Sequence, residues 1–205
     1  MPKINPLFQM FLFAILFTLS LTAKADALQA LLHHKNDPIA GNPKGKITVV
    51  EFFDYQCSHC ISMAPVLSDI IKANPDVRVV FKEFPIRGAM SQFAARAALA
   101  ANLQGKYATF SHALLESSQP LTEESILKIA KSQGLNITKL KKEMNEGRIR
   151  DQLNANIKLA QELQLTGTPA FYIGKTNSTN MDQVHHVLGE MSQSELQNAI
   201  DQVRA

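Results

Sequence analysis

The chain has 205 residues, and its 21 lysines and arginines against 18 aspartates and glutamates give a formal net charge of +3. Two of the basic residues, Lys3 and Lys24, lie within residues 1–25, so the rest of the chain has a net charge of only +1. This balance gives no electrostatic reason to expect binding to nucleic acid or to an anionic membrane surface. The length is typical of one domain, or of one domain with an insertion.

The first 25 residues have the pattern of a secretory signal peptide. Lys3 precedes a largely apolar run over residues 7–21, and the small residues Ala23 and Ala25 form an A-x-A cleavage pattern. The apolar run is shorter than the roughly 20 residues that a membrane-spanning helix prefers, although an uncleaved anchor is the alternative. We therefore expect cleavage after Ala25 and export to the periplasm or another extracytoplasmic space.

Two strands that flank a helix are predicted in the first half of the remaining chain. The turn-rich segment 33–46 predicts a loop before them. The run ITVVEFFD at 47–54 is short, β-branched and aromatic, which is typical of a buried strand. A helix is predicted over 57–73, and the run VRVVFKEF at 77–84 predicts the second strand. Such short connections predict a βαβ unit with parallel strands.

The middle of the chain has helical patterns, and strands return towards its end. From 88 to about 165 all patterns are helical, whereas PAFYI at 169–173 and VHHVL at 184–188 predict two short strands. An S-x-x-E capping box at Ser192 opens a closing amphipathic helix. Since strands lie on both sides of the helical segment, we expect them to join in one sheet of an α/β fold.

The two cysteines of the chain, Cys57 and Cys60, are separated by two residues and lie where the first strand gives way to its helix. At a helix N-terminus the free N–H groups and the helix dipole favour negative charge, so the Cys57 thiol should ionise readily. His59 is a candidate to donate to the same thiolate, or to add positive charge beside it when protonated. A stabilised thiolate favours the reduced pair and makes its disulfide a good oxidant. A C-x-x-C pair in a βαβ setting indicates thioredoxin-type redox chemistry.

Two other uses of the cysteine pair stay open at this point, an inert disulfide and a metal site. A disulfide that closes so small a loop adds little stability. Cys57, His59 and Cys60 supply three metal ligands, whereas a closed site needs a fourth. The further candidates are His185 and His186, which are neighbours on a predicted strand and therefore point to opposite faces. We expect no metal.

Two other positions are candidate site residues. Glu51 interrupts an apolar strand, where a buried carboxylate is costly unless it has a role. A proton relay beneath Cys60 is one interpretation, and a strand end open to solvent is the other. Lys82 on the second strand is a candidate partner for Glu51. Thr168-Pro169 opens the third strand, where a proline suits a tight turn with a cis bond.

Three features together resemble the DsbA family of exported thiol-disulfide oxidoreductases, including its BdbD-like branch. They are VVEFFDYQCSHC at 49–60, the helical segment, and TGTPAFYIG at 166–174. The resemblance implies a thioredoxin-like fold with an inserted helical domain. The expected division is a signal peptide (1–25), the first part of the thioredoxin-like domain (26–86), the inserted helical domain (87–163) and the second part of the thioredoxin-like domain (164–205).

The resemblance also implies roles for single residues. Cys57 would be the exposed attacking cysteine and Cys60 its buried partner. His59 would tune the thiolate, and Glu51 matches the buried acid of the family.

The remaining implications of the resemblance concern substrate binding and assembly. Thr168 and a cis Pro169 would line the substrate groove beside the disulfide. Ser58 stands where many members carry proline. The chain also lacks the long N-terminal segment of dimerising isomerase relatives, so a monomer is expected.

The predicted function is a periplasmic dithiol oxidase that introduces disulfides into unfolded exported proteins through the Cys57–Cys60 pair, with no dissociable cofactor. By the resemblance, a membrane quinone reductase of the DsbB or VKOR type would reoxidise the pair. A disulfide isomerase or reductase on the same scaffold is the nearer alternative. A metal-binding or peptide-binding periplasmic protein is the alternative from another class.

Overall fold

The structure is a computed structural model that describes residues 26–205, so the predicted signal peptide and its cleavage site lie outside the described residues. Its strands are β1 (Ile39–Gly41), β2 (Ile47–Phe53), β3 (Val77–Glu83), β4 (Ala170–Lys175) and β5 (Val184–Leu188). They form one mixed sheet in the order β1-β3-β2-β4-β5.

The helices flank this sheet and fill the long connection between β3 and β4. They are α1 (which includes residues 26–33), α2 (Ser58–Ala73), α3 (Ala89–Asn102), α4 (Tyr107–Leu115), α5 (Glu123–Ser132), α6 (Ile137–Glu143), α7 (Gly147–Glu162) and α8 (Gln193–Arg204). A short 3-10 helix at Met181–Gln183 leads into β5.

The central strand β2 is buried along its whole length, which explains its continuous apolar run. It runs parallel to β3 and antiparallel to β4. Val49 packs in the layer formed with α2 and α8, whereas Val50 and Phe52 pack in the opposite layer formed with α1 and α7. Because side chains alternate along a strand, Glu51 lies on the same face of the sheet as Val49.

A third cluster of buried side chains joins α2 to the helices that follow β3. Cys57, Cys60 and Ala64 belong to this cluster, together with alanines of α3 and Phe110 of α4. The start of α2, and with it the cysteine pair, therefore lies where the sheet meets the helical segment.

Most predicted elements are confirmed. β2, β3 and β5 agree with the predicted ranges to within one residue. The capping box is present, since the Ser192 hydroxyl accepts a hydrogen bond from the Glu195 amide at 3.3 Å. The strands before and after the helical segment join in one sheet, as expected. The domain boundaries at residues 86 and 163 stay predictions.

The expected loop over residues 33–46 is wrong for Ile39–Gly41, which forms the edge strand β1. This strand has three residues and pairs antiparallel with β3. Its conformation comes from backbone pairing with a distant segment, which a short run such as IAG does not reveal.

Lys82 does not pair with Glu51. In the parallel register Glu51 lies opposite Phe81, whereas Lys82 lies opposite Phe52, so the two charged side chains occupy opposite faces of the sheet. Lys82 instead forms a buried ion pair with Asp37, and its Nζ donates to the Ala30 carbonyl at 2.6 Å. This contact ties α1 and the segment after it to the sheet.

Breaking this buried pair should lower stability strongly. Lys82→Met leaves the Asp37 carboxylate buried without its cation, and we expect a loss of about 3–5 kcal/mol in the free energy of unfolding. The matched control is Lys72→Met, because Lys72 pairs with Asp69 on the surface and exposed pairs contribute about 0–1 kcal/mol. Urea unfolding measures both variants, and equal losses would contradict a structural role for the buried pair.

Candidate active site

Cys57 is the N-cap residue of α2. Its backbone is extended (φ −89°, ψ 116°), and its carbonyl accepts the first helical hydrogen bond from the Ile61 amide at 3.0 Å. The first turn of α2 contains no acidic residue that would compete for its free N–H groups. The sulfur is therefore carried at the end of the helix that favours negative charge, as predicted.

Two residues from distant parts of the chain, Thr168 and Arg87, lie against the Cys57 sulfur. The Cys57 thiol donates to the Thr168 carbonyl at 3.2 Å, and Nη2 of Arg87 lies 3.6 Å from the sulfur. Burial raises the pKa of the Cys57 thiol, but the Thr168 side chain, the Cys60 N–H and thiol, and the Arg87 guanidinium outweigh burial and lower this pKa below its ordinary value.

Cys60 lies one helical turn further on and has the opposite electrostatic character. Burial raises the pKa of the Cys60 thiol far above its ordinary value, and the Glu51 carboxylate adds to this increase. The two thiols of one motif are therefore unequal: Cys57 ionises readily, whereas Cys60 holds its proton.

The expectation that Cys57 is exposed is wrong. Both cysteines are buried free thiols, with 0% of Cys57 and 1% of Cys60 accessible to solvent. The physical reason is that the Thr168 peptide and the Arg87 side chain lie against the Cys57 sulfur. A substrate sulfur therefore reaches Cys57 only when these neighbours give way.

Glu51 is buried inside β2, which rules out a strand end that is open to solvent. Burial first of all, and then the charges of Glu83 and Cys57, raise the pKa of its carboxyl to about 8. At neutral pH this side chain is therefore mostly protonated. A cavity of about 170 Å³ borders Glu51 and is also lined by Ser111 and His112.

A second buried carboxyl, Glu83 at the end of β3, was not predicted. It accepts hydrogen bonds from the Tyr55 hydroxyl at 2.8 Å and from the Tyr107 hydroxyl at 2.7 Å. Burial raises its pKa to about 8 against the effect of these donors. The sequence signal was weak, since Glu83 follows Lys82 at the end of a strand that also carries Arg78, whereas Glu51 stands between apolar residues.

His59 is largely exposed, and its Nδ1 lies 2.9 Å from the Glu190 carboxylate, in the loop after β5. Within residues 26–205 we find no hydrogen bond from the His59 ring to Cys57 or Cys60. The predicted tuning of the thiolate by His59 stays a prediction.

Thr168 and Pro169 lie directly before β4, and their peptide bond is cis, as predicted. The Thr168 carbonyl contacts the Cys57 sulfur, and the Pro169 carbonyl accepts from the Gly189 amide at 2.8 Å. The Thr168 hydroxyl is buried and has no hydrogen-bond partner by distance and angle in the described part of the chain. It is therefore available as a donor to a thiolate.

Asp54 and Arg87 are the site residues that the sequence pattern missed. The buried Asp54 carboxylate accepts from the Gln56 amide at 2.7 Å, the Ser91 hydroxyl at 2.7 Å and the Arg87 amide at 2.9 Å. This network holds the loop before α3 against the loop that carries Cys57. A sequence separation of 30 residues between Arg87 and Cys57 gives no local signal of their contact.

His185 and His186, the further candidate metal ligands, lie on β5, where the His186 ring stacks on Tyr172 with 4.5 Å between ring centroids. Across residues 26–205 we find no group of three or more His, Cys, Asp and Glu side chains placed to bind a metal ion. Nor does any helix in that range combine the length and apolarity needed to cross a membrane.

The chain is similar to known proteins over most of its length. The sequence model of the DSBA-like thioredoxin domain matches residues 48–201. The thiol:disulfide interchange protein DsbA of Bordetella parapertussis is 30% identical over 146 residues, which cover 68% of each chain. The Na(+)/H(+) antiporter NhaA 3 of Salinispora tropica is 25% identical over 67% of this chain, which spans only 21% of that much longer protein.

Solved structures extend this likeness to the whole fold. A thioredoxin-like oxidoreductase from Silicibacter pomeroyi is 39% identical, with a TM-score of 0.79, over 86% of this chain and 96% of that one. A periplasmic thioredoxin-like protein from Salmonella enterica serovar Typhimurium is 25% identical, with a TM-score of 0.75, over 86% of this chain and 94% of that one. The predicted thioredoxin-like fold is confirmed.

We expect the two thiols to ionise in separate pH ranges. In a Cys60→Ser variant the Cys57 thiol should ionise below the ordinary cysteine pKa of about 8.5, because the helix N-terminus and its donors stabilise the thiolate. In the matched Cys57→Ser variant the Cys60 thiol should stay protonated well above that pH, because burial penalises its charge. Ultraviolet absorbance of the thiolate measures both, and coincident curves would contradict the assignment.

Glu51 should make the reduced protein less stable as the pH rises. Its pKa is raised from 4.5 to about 8 on folding, so the unfolded chain releases this proton at lower pH than the folded chain. The contribution of Glu51 to the free energy of unfolding is therefore fully present below the pKa of the unfolded chain. It is lost as the pH rises towards the pKa that Glu51 has in the folded protein. Urea unfolding at about pH 5 and about pH 8 should show that Glu51→Gln removes on the order of 2 kcal/mol of this loss.

The control for that experiment is Glu162→Gln, which neutralises a half-exposed carboxylate on α7. It should leave the pH dependence of stability as in the wild type. If Glu51→Gln also gave the wild-type pH dependence, Glu51 would not carry a raised pKa.

Proposed function

The chain belongs to the family of DSBA-like thioredoxin domains, which are thiol-disulfide oxidoreductases, and from that premise we propose that it is a dithiol oxidase that introduces disulfides into unfolded exported proteins. The observation that supports this proposal is the unequal ionisation of the two thiols, with the pKa of Cys57 lowered and that of Cys60 raised. A stabilised Cys57 thiolate favours the reduced pair, so the disulfide accepts electrons readily.

The proposed reaction begins with the Cys57–Cys60 disulfide. A substrate thiolate attacks the Cys57 sulfur, the bond between the two cysteines breaks, and Cys60 leaves with the electron pair. A second substrate thiolate then attacks the substrate sulfur of the mixed disulfide, and Cys57 leaves as a thiolate. Two electrons pass from the substrate dithiol to the pair, and a disulfide forms in the substrate.

Glu51 is the proposed proton donor for the first step. The departing Cys60 thiolate needs a proton because its site disfavours charge. A carboxyl with a pKa raised to about 8 carries that proton at neutral pH. The cavity of about 170 Å³ beside Glu51 is roomy enough for water, which would return the proton to the carboxyl.

Exposed apolar side chains near Cys57 suit an unfolded substrate. Ile61 is 41%, Ile86 is 47% and Leu188 is 54% exposed. The Ile61 amide donates to the Cys57 carbonyl, Ile86 precedes Arg87, and Leu188 on β5 pairs with the residue after Pro169. Two segments that meet at the sulfur, and the strand beside the third, thus each present a large apolar side chain, and Thr168 and Pro169 would line the groove between them.

The proposal includes the cellular setting and the partners. Residues 1–25 would direct export to the periplasm, which is also the compartment of the related Salmonella protein. A membrane quinone reductase of the DsbB or VKOR type would reoxidise the pair, and the monomeric protein would need no dissociable cofactor because the cysteines carry the electrons. His59 would add to the tuning of the thiolate. Membership of the narrower BdbD-like branch stays a prediction.

The proposed function is tested by oxidation of a reduced, unfolded protein. The oxidised wild type should form substrate disulfides. Cys57→Ser should be inactive because it has no sulfur for the substrate thiolate to attack, and Cys60→Ser should be inactive because it cannot form the Cys57–Cys60 disulfide. The reduction potential should lie above about −200 mV, towards the strongly oxidising end of this fold. A potential near −270 mV with no oxidase activity would favour the reductase or isomerase, and stoichiometric metal without turnover would favour the carrier.

A further inference from the structure

We propose that Arg87 is a catalytic residue of this site, the cation that pairs with the Cys57 thiolate. The inference rests on the proposed function because it concerns the same sulfur, and it assigns to Arg87 the role of principal counter-ion that the sequence pattern suggested for His59. It also gives this side chain a part in controlling access to the sulfur.

The first argument is the geometry of the contact. Nη2 of Arg87 lies 3.6 Å from the Cys57 sulfur, within hydrogen-bonding distance for a sulfur acceptor. A guanidinium is charged at every pH at which proteins are folded, so it favours the thiolate whenever it is in place. A charge-assisted hydrogen bond to the ionised sulfur is stronger than one to the neutral thiol.

The second argument is that the position of Arg87 is built into the fold. The Asp54 carboxylate accepts the Arg87 amide at 2.9 Å, and the Gln56 side chain donates to the Arg87 carbonyl at 3.1 Å. Both clamping residues belong to the loop that leads directly into Cys57. The same short segment therefore carries the reacting sulfur and fixes the backbone of its cation, which makes Asp54 a positioning residue.

The third argument is the state of the rival cation. The His59 side chain is 60% exposed, and its Nδ1 faces the Glu190 carboxylate at 2.9 Å. Arg87 is an exposed residue as well, but its Nη2 contacts the sulfur at 3.6 Å, whereas a positive charge on the His59 ring is compensated by Glu190 and contributes less at the sulfur. The other titratable groups near Cys57 include Asp54 in the loop before it, Glu51 on β2 and Cys60 on α2, and a negative charge on any of them disfavours the thiolate.

The pairing has a consequence for access. Arg87 is one of the groups that bury the Cys57 sulfur, and its attraction is strongest when that sulfur carries a charge. In the disulfide the sulfur is neutral, so the guanidinium is held less tightly there and yields to a substrate. After the reaction the regenerated thiolate attracts the guanidinium back to the sulfur.

The test measures ionisation directly, in a Cys60→Ser background, with the pKa of Cys57 followed by thiolate absorbance. Arg87→Gln keeps the backbone amide that Asp54 binds and removes only the charge. We expect the pKa of Cys57 to rise by about 0.5–1 unit, a three- to tenfold loss of thiolate. Arg87→Lys should retain most of the thiolate, and His59→Ala should shift the pKa less than Arg87→Gln does.

The matched control is Arg150→Gln, which removes the same charge from an exposed site on α7 and should not change the pKa. The proposal would be overturned if the pKa of Cys57 in Arg87→Gln equalled that in the control. It would also be overturned if His59→Ala shifted the pKa of Cys57 more than Arg87→Gln does. Circular dichroism and urea unfolding verify that each variant is folded.

The positioning role of Asp54 is tested in the same assay. Asp54→Asn should raise the pKa of Cys57 in the presence of Arg87 but add little in an Arg87→Gln background, and additive shifts would overturn this role. Failure of the proposed function is a separate result. A wild type that does not oxidise substrates while Arg87→Gln still shifts the pKa would remove the oxidase and leave the assignment of Arg87 in place.

Discussion

The Cys57 sulfur lies where three separate parts of the chain meet: the N-terminus of α2, the Thr168–Pro169 turn before β4, and the loop before α3. The first part supplies free N–H groups, the second a carbonyl at 3.2 Å and a free hydroxyl, and the third a guanidinium at 3.6 Å. The reactivity of the pair depends on this convergence, because helix position alone does not outweigh the desolvation of a fully buried thiol. The sheet order β3-β2-β4 brings the three parts together, since β2, β3 and β4 each lead to or from one of them.

Two carboxyls lie in the apolar interior close to this point, and neither has a buried cation as a partner. The pKa values of Glu51 and Glu83 are both raised to about 8, and burial is the largest cause for each. By contrast, the buried Asp37 on the other face of the sheet is paired with Lys82. The ion pair of Asp37 and Lys82 is structural, whereas Glu51 and Glu83 are left without a cation and stay protonated at neutral pH. Burying these two acids costs stability. Groups with perturbed pKa values of this kind concentrate at functional sites.

The residues that local pattern identifies are those whose role depends on neighbours in sequence. Cys57 and Cys60 follow from the motif and the helix start, Glu51 from its place in an apolar strand, and the Thr168–Pro169 turn from its resemblance to a family. These elements and their ranges could be predicted because strand and helix periods are local properties of the chain.

The rest depends on contacts between distant segments. The approach of Arg87 to the sulfur spans 30 residues, and the strand β1 exists only because β3 offers it an edge. The partner of Lys82 was misassigned because the face of a side chain depends on register, and one residue reverses it. The burial of Cys57 likewise results from groups that no motif around the cysteine contains.

The hydrogen bonds of Glu83 also affect how the molecule can move. Tyr107 belongs to α4 in the helical segment, whereas Glu83 and Tyr55 belong to the sheet and to the loop after β2. Separating the helices from the sheet at this boundary would leave the Glu83 carboxyl and the two tyrosine hydroxyls without hydrogen-bond partners. Each buried group left unsatisfied costs about 1–3 kcal/mol. The boundary is therefore rigid beside the cysteines. In the proposed function, unfolded substrates of different size would be accommodated by the surface loops near Cys57, while the helices and the sheet stay packed together.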